Sequence, residues 1–285
     1  MSHGDGGVFA IFRSLLWRLA LPIRWYVRYS PLARGKGLLI DKVLIGLLPS
    51  AGSFESAVPF GGRIRLQYGE TLGRGALFLG GLERAEVGFV ARSLCEGDWA
   101  VDVGANVGLF TIAMGRAVGP SGHILAVEPV SETVRRLREN LALNGLENVT
   151  VLEAALGATN GQTTLHLADD PAFPSTAAVA GGHTVVGARS VRLVTLDHYW
   201  AHAGSPPVRL VKVDVEGSEL EVLKGAINLL STCKPMLLLE ANGVDSLAQL
   251  ESWLVPLGYH REPQPAFAPY NHLFLGKPDG ETAGC

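Results

Sequence analysis

The sequence predicts an α/β protein built on a doubly wound, mostly parallel sheet with helices on both faces. Three observations carry that expectation. After Gly97, short apolar runs of strand length alternate with helical patterns, which implies parallel pairing through right-handed crossovers. The first of these runs ends in a glycine-bearing turn that leads into a helix, Val101-Asp-Val-Gly-Ala-Asn-Val-Gly108. The 285-residue chain is 47% hydrophobic and only 18% charged, so it can bury a full core and is too apolar to be a disordered chain.

Taken in order, residues 1–36 form a basic apolar segment with six cations against Asp5 alone. Arginines interrupt it every five or six residues, so no uncharged run approaches the ~20 residues that span a bilayer. On a helix, Arg13, Arg18, Arg24 and Arg28 fall opposite Phe12, Leu15, Leu16, Leu19, Ile23 and Tyr26, an amphipathic pattern with a kink at Pro22. Such a helix packs on protein with its arginines in water. Alternatively, residues 8–28 make peripheral contact with an anionic membrane face, with Trp17, Trp25 and Tyr26 at headgroup depth. A cleaved leader is disfavoured because arginines break its apolar stretch and no clean A-x-A site follows.

Residues 37–98 read as a β-rich, glycine-punctuated lead-in with a strand-like piece at 63–68 and a helix at 83–94. Residues 99–278 carry the alternation: strands at 99–103, 123–128, 149–153, 210–215 and 236–240, and helices at 107–117, 131–143, 218–230 and 245–257. A β-like insertion falls at about 163–196. Strand-like pieces at 259 and 273–275 close the domain, and 279–285 is a tail. In such a sheet a ligand lies beyond the carboxyl ends of the strands, at residues 102–108, 128–131, 153–157, 214–219 and 240–242.

The net charge of −3 lacks the basic excess of a general nucleic-acid binder, so no nucleic-acid partner is expected. Three cysteines far apart in the chain give neither a zinc-ligand spacing nor a disulfide framework, and the expected compartment is cytoplasmic. His183, His198, His202, His260 and His272 also lack metal-ligand spacing. Ser218 lacks the G-x-S-x-G setting of a hydrolase nucleophile.

The glycine turn narrows the ligand. A dinucleotide fingerprint would need glycine at 106 and 109, where the chain has Asn106 and Leu109. Asp102 at the strand end repels a pyrophosphate and favours a cationic or zwitterionic group. Glu128, ending the second strand, is placed to accept hydrogen bonds from two ribose hydroxyls. A nucleoside carrying an amino-acid group and no phosphate meets both demands, and S-adenosylmethionine is such a molecule.

These residues resemble the FkbM family of S-adenosylmethionine-dependent methyltransferases. The likeness runs through Glu96–Ala113, Ala126-Val-Glu-Pro129, Leu137–Val149, Val194-Thr-Leu-Asp197 and Val211-Lys-Val-Asp-Val-Glu-Gly-Ser-Glu219. It covers about two-thirds of the chain and excludes residues 1–50. The resemblance implies a Rossmann-like class I methyltransferase fold and transfer of a methyl group to a hydroxyl of a sugar, glycolipid, polyketide or related metabolite. It also implies that Asp102, Gly104, Asn106 and Gly108 cradle the methionine part, that Glu128 holds the ribose, and that Glu153, Ala154 and the two residues after them border the adenine.

At the acceptor, an alcohol must lose its proton, so a carboxylate or a metal ion is needed. Asp214 and Glu216 at the end of the fourth strand are the expected catalytic residues. With Glu240 and Asn242, Asp214 and Glu216 offer an oxygen-rich set that a divalent ion would take. The competing reading gives Asp214 to a helix cap, pairs Glu216 or Glu219 with Lys212, and needs no metal. Glu83 and Glu86 either border the cofactor or form an exposed helix face, the second being expected. The small-molecule acceptor includes lipid-linked glycans among its candidates. The alternatives are a non-catalytic methyltransferase-like scaffold and an NAD-type oxidoreductase.

Overall fold

The computed structural model describes residues 22, 23, 25, 26, 52–68, 70–79, 83–168 and 185–276. The amphipathic helix expected over residues 8–28 lies outside them except at Pro22, Ile23, Trp25 and Tyr26, which are helical. So do the tail at 279–285 and the middle of the insertion. Among the described residues no helix is long and apolar enough to cross a membrane.

The chain divides into two compact units, Met1–Ser56 with Arg65–Leu82 and Ala57–Ile64 with Glu83–Cys285. Strands β1 (Ser53–Ala57) and β2 (Arg63–Gln67) form a two-stranded sheet, and α1 (Thr71–Arg74) runs on into a π-helical turn, Gly75–Leu79. Within the first unit Gly73 packs so tightly that a Cβ would lie 2.0 Å from the Gln67 carbonyl oxygen.

The second unit holds the sheet. Helix α2 (Arg84–Ser93) precedes β3 (Trp99–Val103), α3 (Leu109–Ala117), β4 (His123–Val127), α4 (Ser131–Leu143) and β5 (Val149–Leu152). After β6 (Ala155–Leu156), β7 (Gly161–Ala168) and β8 (Val185–Val194) come α5 (Leu196–His202), β9 (Val208–Val213), α6 (Glu219–Lys224), α7 (Ile227–Cys233), β10 (Met236–Glu240), α8 (Val244–Leu254), β11 (Tyr259–Glu262) and β12 (Asn271–Gly276). Seven strands form one sheet in the order β11-β12-β10-β9-β3-β4-β5; β3, β4, β5, β9 and β10 are parallel and β12 runs antiparallel to β10. The α/β, mostly parallel architecture predicted from the alternation is therefore the one observed. The insertion forms a separate three-stranded sheet, β6-β8-β7.

Strand periodicity explains the layering. Val101, Val103, Leu125, Val127, Val211, Val213, Leu237 and Leu239 belong to one buried cluster with Val222, Leu223, Leu229, Leu230, Leu250 and Leu254 of α6, α7 and α8. The alternate residues of β3 and β9 include Asp102 and Lys212, which are register partners across the pair.

Several elements differ from expectation: α1 and α5 fall where no helix was read, and β6 precedes the insertion read at about 163–196. The single helix read at 218–230 is two helices, broken at Gly225–Ala226. A Cβ on Gly225 would fall 2.0 Å from the Gly157 carbonyl oxygen, and the Asp197 carboxylate accepts hydrogen bonds from the N–H groups of Asn228 and Leu229 (both 2.9 Å) at the start of α7. A new N-terminus with its own cap replaces helical continuity there.

Candidate functional site

The strand order reverses between β3 and β9: from β3 the chain winds outward through β4 and β5, then returns to β9 and winds the other way through β10. Crevices form where such a reversal splays the connecting loops. The loops that meet there are 104–108 and 214–218.

Gly104 (φ 74°), Asn106 (φ 48°) and Gly108 (φ 100°) all take left-handed backbone. At Gly104 the geometry admits no side chain: a Cβ would lie 1.8 Å from the Asp214 carbonyl oxygen, so glycine is what lets the two loops touch. A Cβ on Gly108 would lie 2.6 Å from Leu137 Cδ1. Gly104 and Ala105 both donate to the Val127 carbonyl (3.0 Å each), and the buried Asn140 side chain donates to the Val107 carbonyl (2.8 Å). The loop is thus held by hydrogen bonds from within the protein.

Asp102 is fully buried. Its Oδ2 accepts a 2.5 Å hydrogen bond from Thr111 Oγ1, while Oδ1 has no hydrogen-bond partner and lies 3.6 Å from Lys212 Nζ. The Lys212 ammonium also pairs with Asp214 Oδ2 (3.1 Å), donates to the Gly104 carbonyl (3.2 Å) and stands over the Phe110 ring at 4.9 Å. Burial opposes the charge on Lys212, but Asp214, Asp102 and Glu83 outweigh it and hold the ammonium above its ordinary value. Expected partners of Lys212, Glu216 and Glu219, are replaced by Asp102 and Asp214. Glu219 instead accepts from the N–H groups of Val215 (3.2 Å) and Gly217 (3.0 Å), closing the turn between β9 and α6.

At the ends of β9 and β10, one carboxylate oxygen from each of Asp214, Glu216 and Glu240 lies within 4.8 Å of the others. Burial works against ionisation of Asp214, but Lys212 and a hydrogen bond with Glu240 carry it below the usual carboxylate range. The proton sits on the partner: burial and the Asp214 carboxylate push Glu240 up to about 10. Burial, Asp214 and Glu219 push Glu216 up to about 7. Asn242 donates its Nδ2 to Glu240 Oε1 (2.9 Å) at the edge of this cluster.

Glu128 is buried, with Oε2 accepting from Asn106 N and Oε1 from Val130 N, both at 3.0 Å. Burial pushes it up to about 7 against the pull of those two N–H groups. Each oxygen keeps a further lone pair for a hydroxyl donor. Glu153 is exposed and accepts from Ser131 Oγ (2.6 Å), and Ala154 beside it is buried. Gly217 is left-handed with open space around its Cα.

Two acids read as an exposed helix face are corrected. Glu86 is buried and accepts from Ala268 N (2.5 Å) and Asn271 Nδ2 (3.3 Å), fastening the 263–270 loop to α2; Phe89 and Phe267 meet edge to face at 5.6 Å beside it. Glu83 precedes α2 in left-handed backbone (φ 44°) without a side-chain capping bond, and burial followed by Asp214 pushes it up to about 7. Tyr270, on the fastened loop, feels Glu83, Glu240, Glu86 and Asp214, and after burial these keep its phenol protonated. Sequence reasoning missed the roles of Asn140, Glu86 and Tyr270. Asn140 left one trace: a polar residue in the apolar stripe of α4.

The donor set suits S-adenosylmethionine. Glu128 offers two carboxyl oxygens, 104–108 is a tight backbone turn, and further carboxyl groups stand at the ends of β9 and β10. A family model described as a methyltransferase FkbM domain matches residues 102–261. The chain is 34% identical over 155 residues to methyltransferase sdnD of Sordaria araneosa, covering 44% of this chain and 59% of that protein. It is 31% identical over 152 residues to the hexuronic acid methyltransferase AglP of Haloferax volcanii, covering 53% and 59%. A solved FkbM methyltransferase from Methylobacillus flagellatus aligns with a TM-score of 0.45 at 18% identity, covering 63% of this chain and 43% of that one. The chain spans about three-fifths of the length of the two curated relatives. Because the family match extends over more than half of the sequence, from Asp102 to Arg261, the chain belongs to the FkbM family of S-adenosylmethionine-dependent methyltransferases.

Proposed function

We propose that residues 99–278 methylate a hydroxyl oxygen of a sugar, glycolipid, polyketide or related metabolite. The observation that carries this reading is the carboxyl cluster of Asp214, Glu216 and Glu240 opening beside the Gly104 turn. When bound, S-adenosylmethionine supplies an electrophilic methyl on a sulfonium leaving group, so the protein's task is to orient the acceptor and take its proton. Gly104, Asn106 and Gly108 shape the seat of the methionine part, with Asp102 stiffening it from beneath through Lys212. Glu128 accepts from the ribose hydroxyls, and Glu153 and Ala154 border the adenine.

Glu216 is the general base. Burial, Asp214 and Glu219 push its carboxyl up to about 7, the range that suits a base at neutral pH, and it follows the end of β9 in left-handed backbone. Asp214, held ionised by Lys212 and sharing a proton with Glu240, accepts a hydrogen bond from the acceptor hydroxyl and fixes its direction. Asp214, Glu216 and Glu240 stand together at this site, so a neutral polyol meets less repulsion there than a hexuronate. The relative named as a hexuronic acid methyltransferase supports a sugar acceptor at the level of class only.

The test is incubation with methyl-labelled S-adenosylmethionine and a panel of neutral hexoses, hexuronic acids, their methyl esters and lipid-linked glycans, followed by location of the label. Label on oxygen, with Glu216→Gln lowering kcat about 10²- to 10⁴-fold at unchanged cofactor affinity, is the expected result. Label on nitrogen or carbon overturns the hydroxyl reading. Failure of the wild-type protein to bind the cofactor favours the scaffold alternative, and activity abolished by a chelator would give the carboxyl cluster to a divalent ion.

A further inference from the structure

We infer that Glu83 is the counter-ion for the α-ammonium group of S-adenosylmethionine, an inference that rests on the methyl-donor reading above. The motif acid that would welcome a cation, Asp102, is not available to one. It is fully buried, bonded to Thr111 and facing Lys212, so its charge is already met inside the protein. The Gly104 carbonyl, the next acceptor along the turn, receives the Lys212 ammonium. Asp214 is committed to Lys212 and Glu240. A cationic amino-acid head arriving over the turn therefore needs a different anion.

Glu83 meets that need on three counts. It is half-buried at the start of α2, and the charges that act on it are those of Asp214, Lys212, its helix neighbour Glu86 and Asp102, three of them at the ends of β3 and β9. Its carboxyl accepts no hydrogen bond among the described residues. The other acids around it do: Glu86 holds Ala268 and Asn271, Glu128 holds Asn106 and Val130, Glu219 holds Val215 and Gly217, and Glu240 holds Asn242. Its backbone occupies the left-handed region at φ 44°, a conformation that costs a non-glycine residue about 1–2 kcal/mol and tends to mark ligand-facing positions. An acid that is desolvated, strained and unpartnered is stabilised by a ligand cation, which would return its carboxyl to the ionised form.

The experiment is calorimetric titration of the wild-type protein, Glu83→Gln and Glu83→Asp with S-adenosylmethionine, S-adenosylhomocysteine and 5′-methylthioadenosine. The second ligand keeps the ammonium and lacks the sulfonium charge; the third lacks the amino-acid part altogether. The expected result is that Glu83→Gln weakens the first two by the same factor, about tenfold or more, and leaves the third unchanged, while Glu83→Asp falls between. Three outcomes overturn the assignment: equal weakening of all three ligands, which marks a structural role; weakening of S-adenosylmethionine alone, which assigns the carboxylate to the sulfonium; or no change. A wild-type protein that binds none of the three overturns the methyl-donor reading itself and is distinguished from all of these.

Discussion

Replacing Lys212 by methionine removes a cation that Asp102 and Asp214 share while keeping a flexible chain of similar length against Phe110. At separations of 3.6 and 3.1 Å and an effective dielectric of about 20, each pair is worth about 5 kcal/mol before desolvation is charged against it. The two halves are unequal. Asp214 is 34% exposed and water can screen it, whereas Asp102 is at 0% and its Oδ1 has no hydrogen bond among the described residues. Stranding a buried charge in this way costs about 3–5 kcal/mol, and that is the loss of stability expected at pH 7.5 by urea denaturation followed by circular dichroism. The pH dependence follows from the direction of each shift. Lys212 is raised on folding, so its contribution is complete below the unfolded value of about 10.4 and constant through neutrality. Asp214 is lowered, so its contribution is present above about 3.9 and fades only below it in the wild-type protein. Without the lysine, the buried carboxyls rise and protonate on acidification, so the penalty of Lys212→Met should shrink between pH 8 and pH 5. Adding Asp102→Asn should recover part of it. A loss below about 1 kcal/mol, or one that stays constant from pH 5 to 8, would refute the reasoning.

Gly104→Ala drives a Cβ to 1.8 Å from the Asp214 carbonyl in left-handed backbone, so it should lower Tm by many degrees and abolish cofactor binding. Gly217→Ala, equally left-handed but in open space, should cost only about 1–2 kcal/mol. Glu128 is raised to about 7 by burial, so the native state binds its proton more tightly than the unfolded chain and ligand-free stability should decline as pH rises from about 4.5 to 7. Glu128→Gln should flatten that decline in a series of melts, and an unchanged slope would contradict the assignment. Asp197→Ala uncaps α7 and should cost about 1–2 kcal/mol in denaturation while leaving kcat at the wild-type value. Loss of activity in the folded variant would move Asp197 from a structural to a catalytic role.

Much of the sheet was legible because its signal is local. Strands β3 and β10 and helix α4 fall on the residues expected, since each is a short apolar run or a clean amphipathic repeat bounded by turn residues. The same locality misleads at 218–230, where helical periodicity continues through Gly225 while the helix breaks beside the Gly157 carbonyl and restarts on the Asp197 cap, both far away in sequence. The 104–108 turn was legible for a related reason. Its glycines and Asn106 sit at a strand end, and the left-handed angles observed there are what those residue types permit.

The charge arrangement was not legible in the same way. By itself the sequence determined the fold class, the family and the acids that stand at strand ends, because backbone pattern and motif spacing are properties of neighbouring residues. Only the tertiary structure decided which acid meets which partner. Asp102 and Lys212 are adjacent through the register of β3 and β9, Glu86 finds Ala268 across the fold, and Glu83 alone among these acids is left without a hydrogen bond among the described residues. Electrostatic partnership depends on distances of a few ångströms and on the water excluded around each pair, and neither quantity is encoded in separation along the chain.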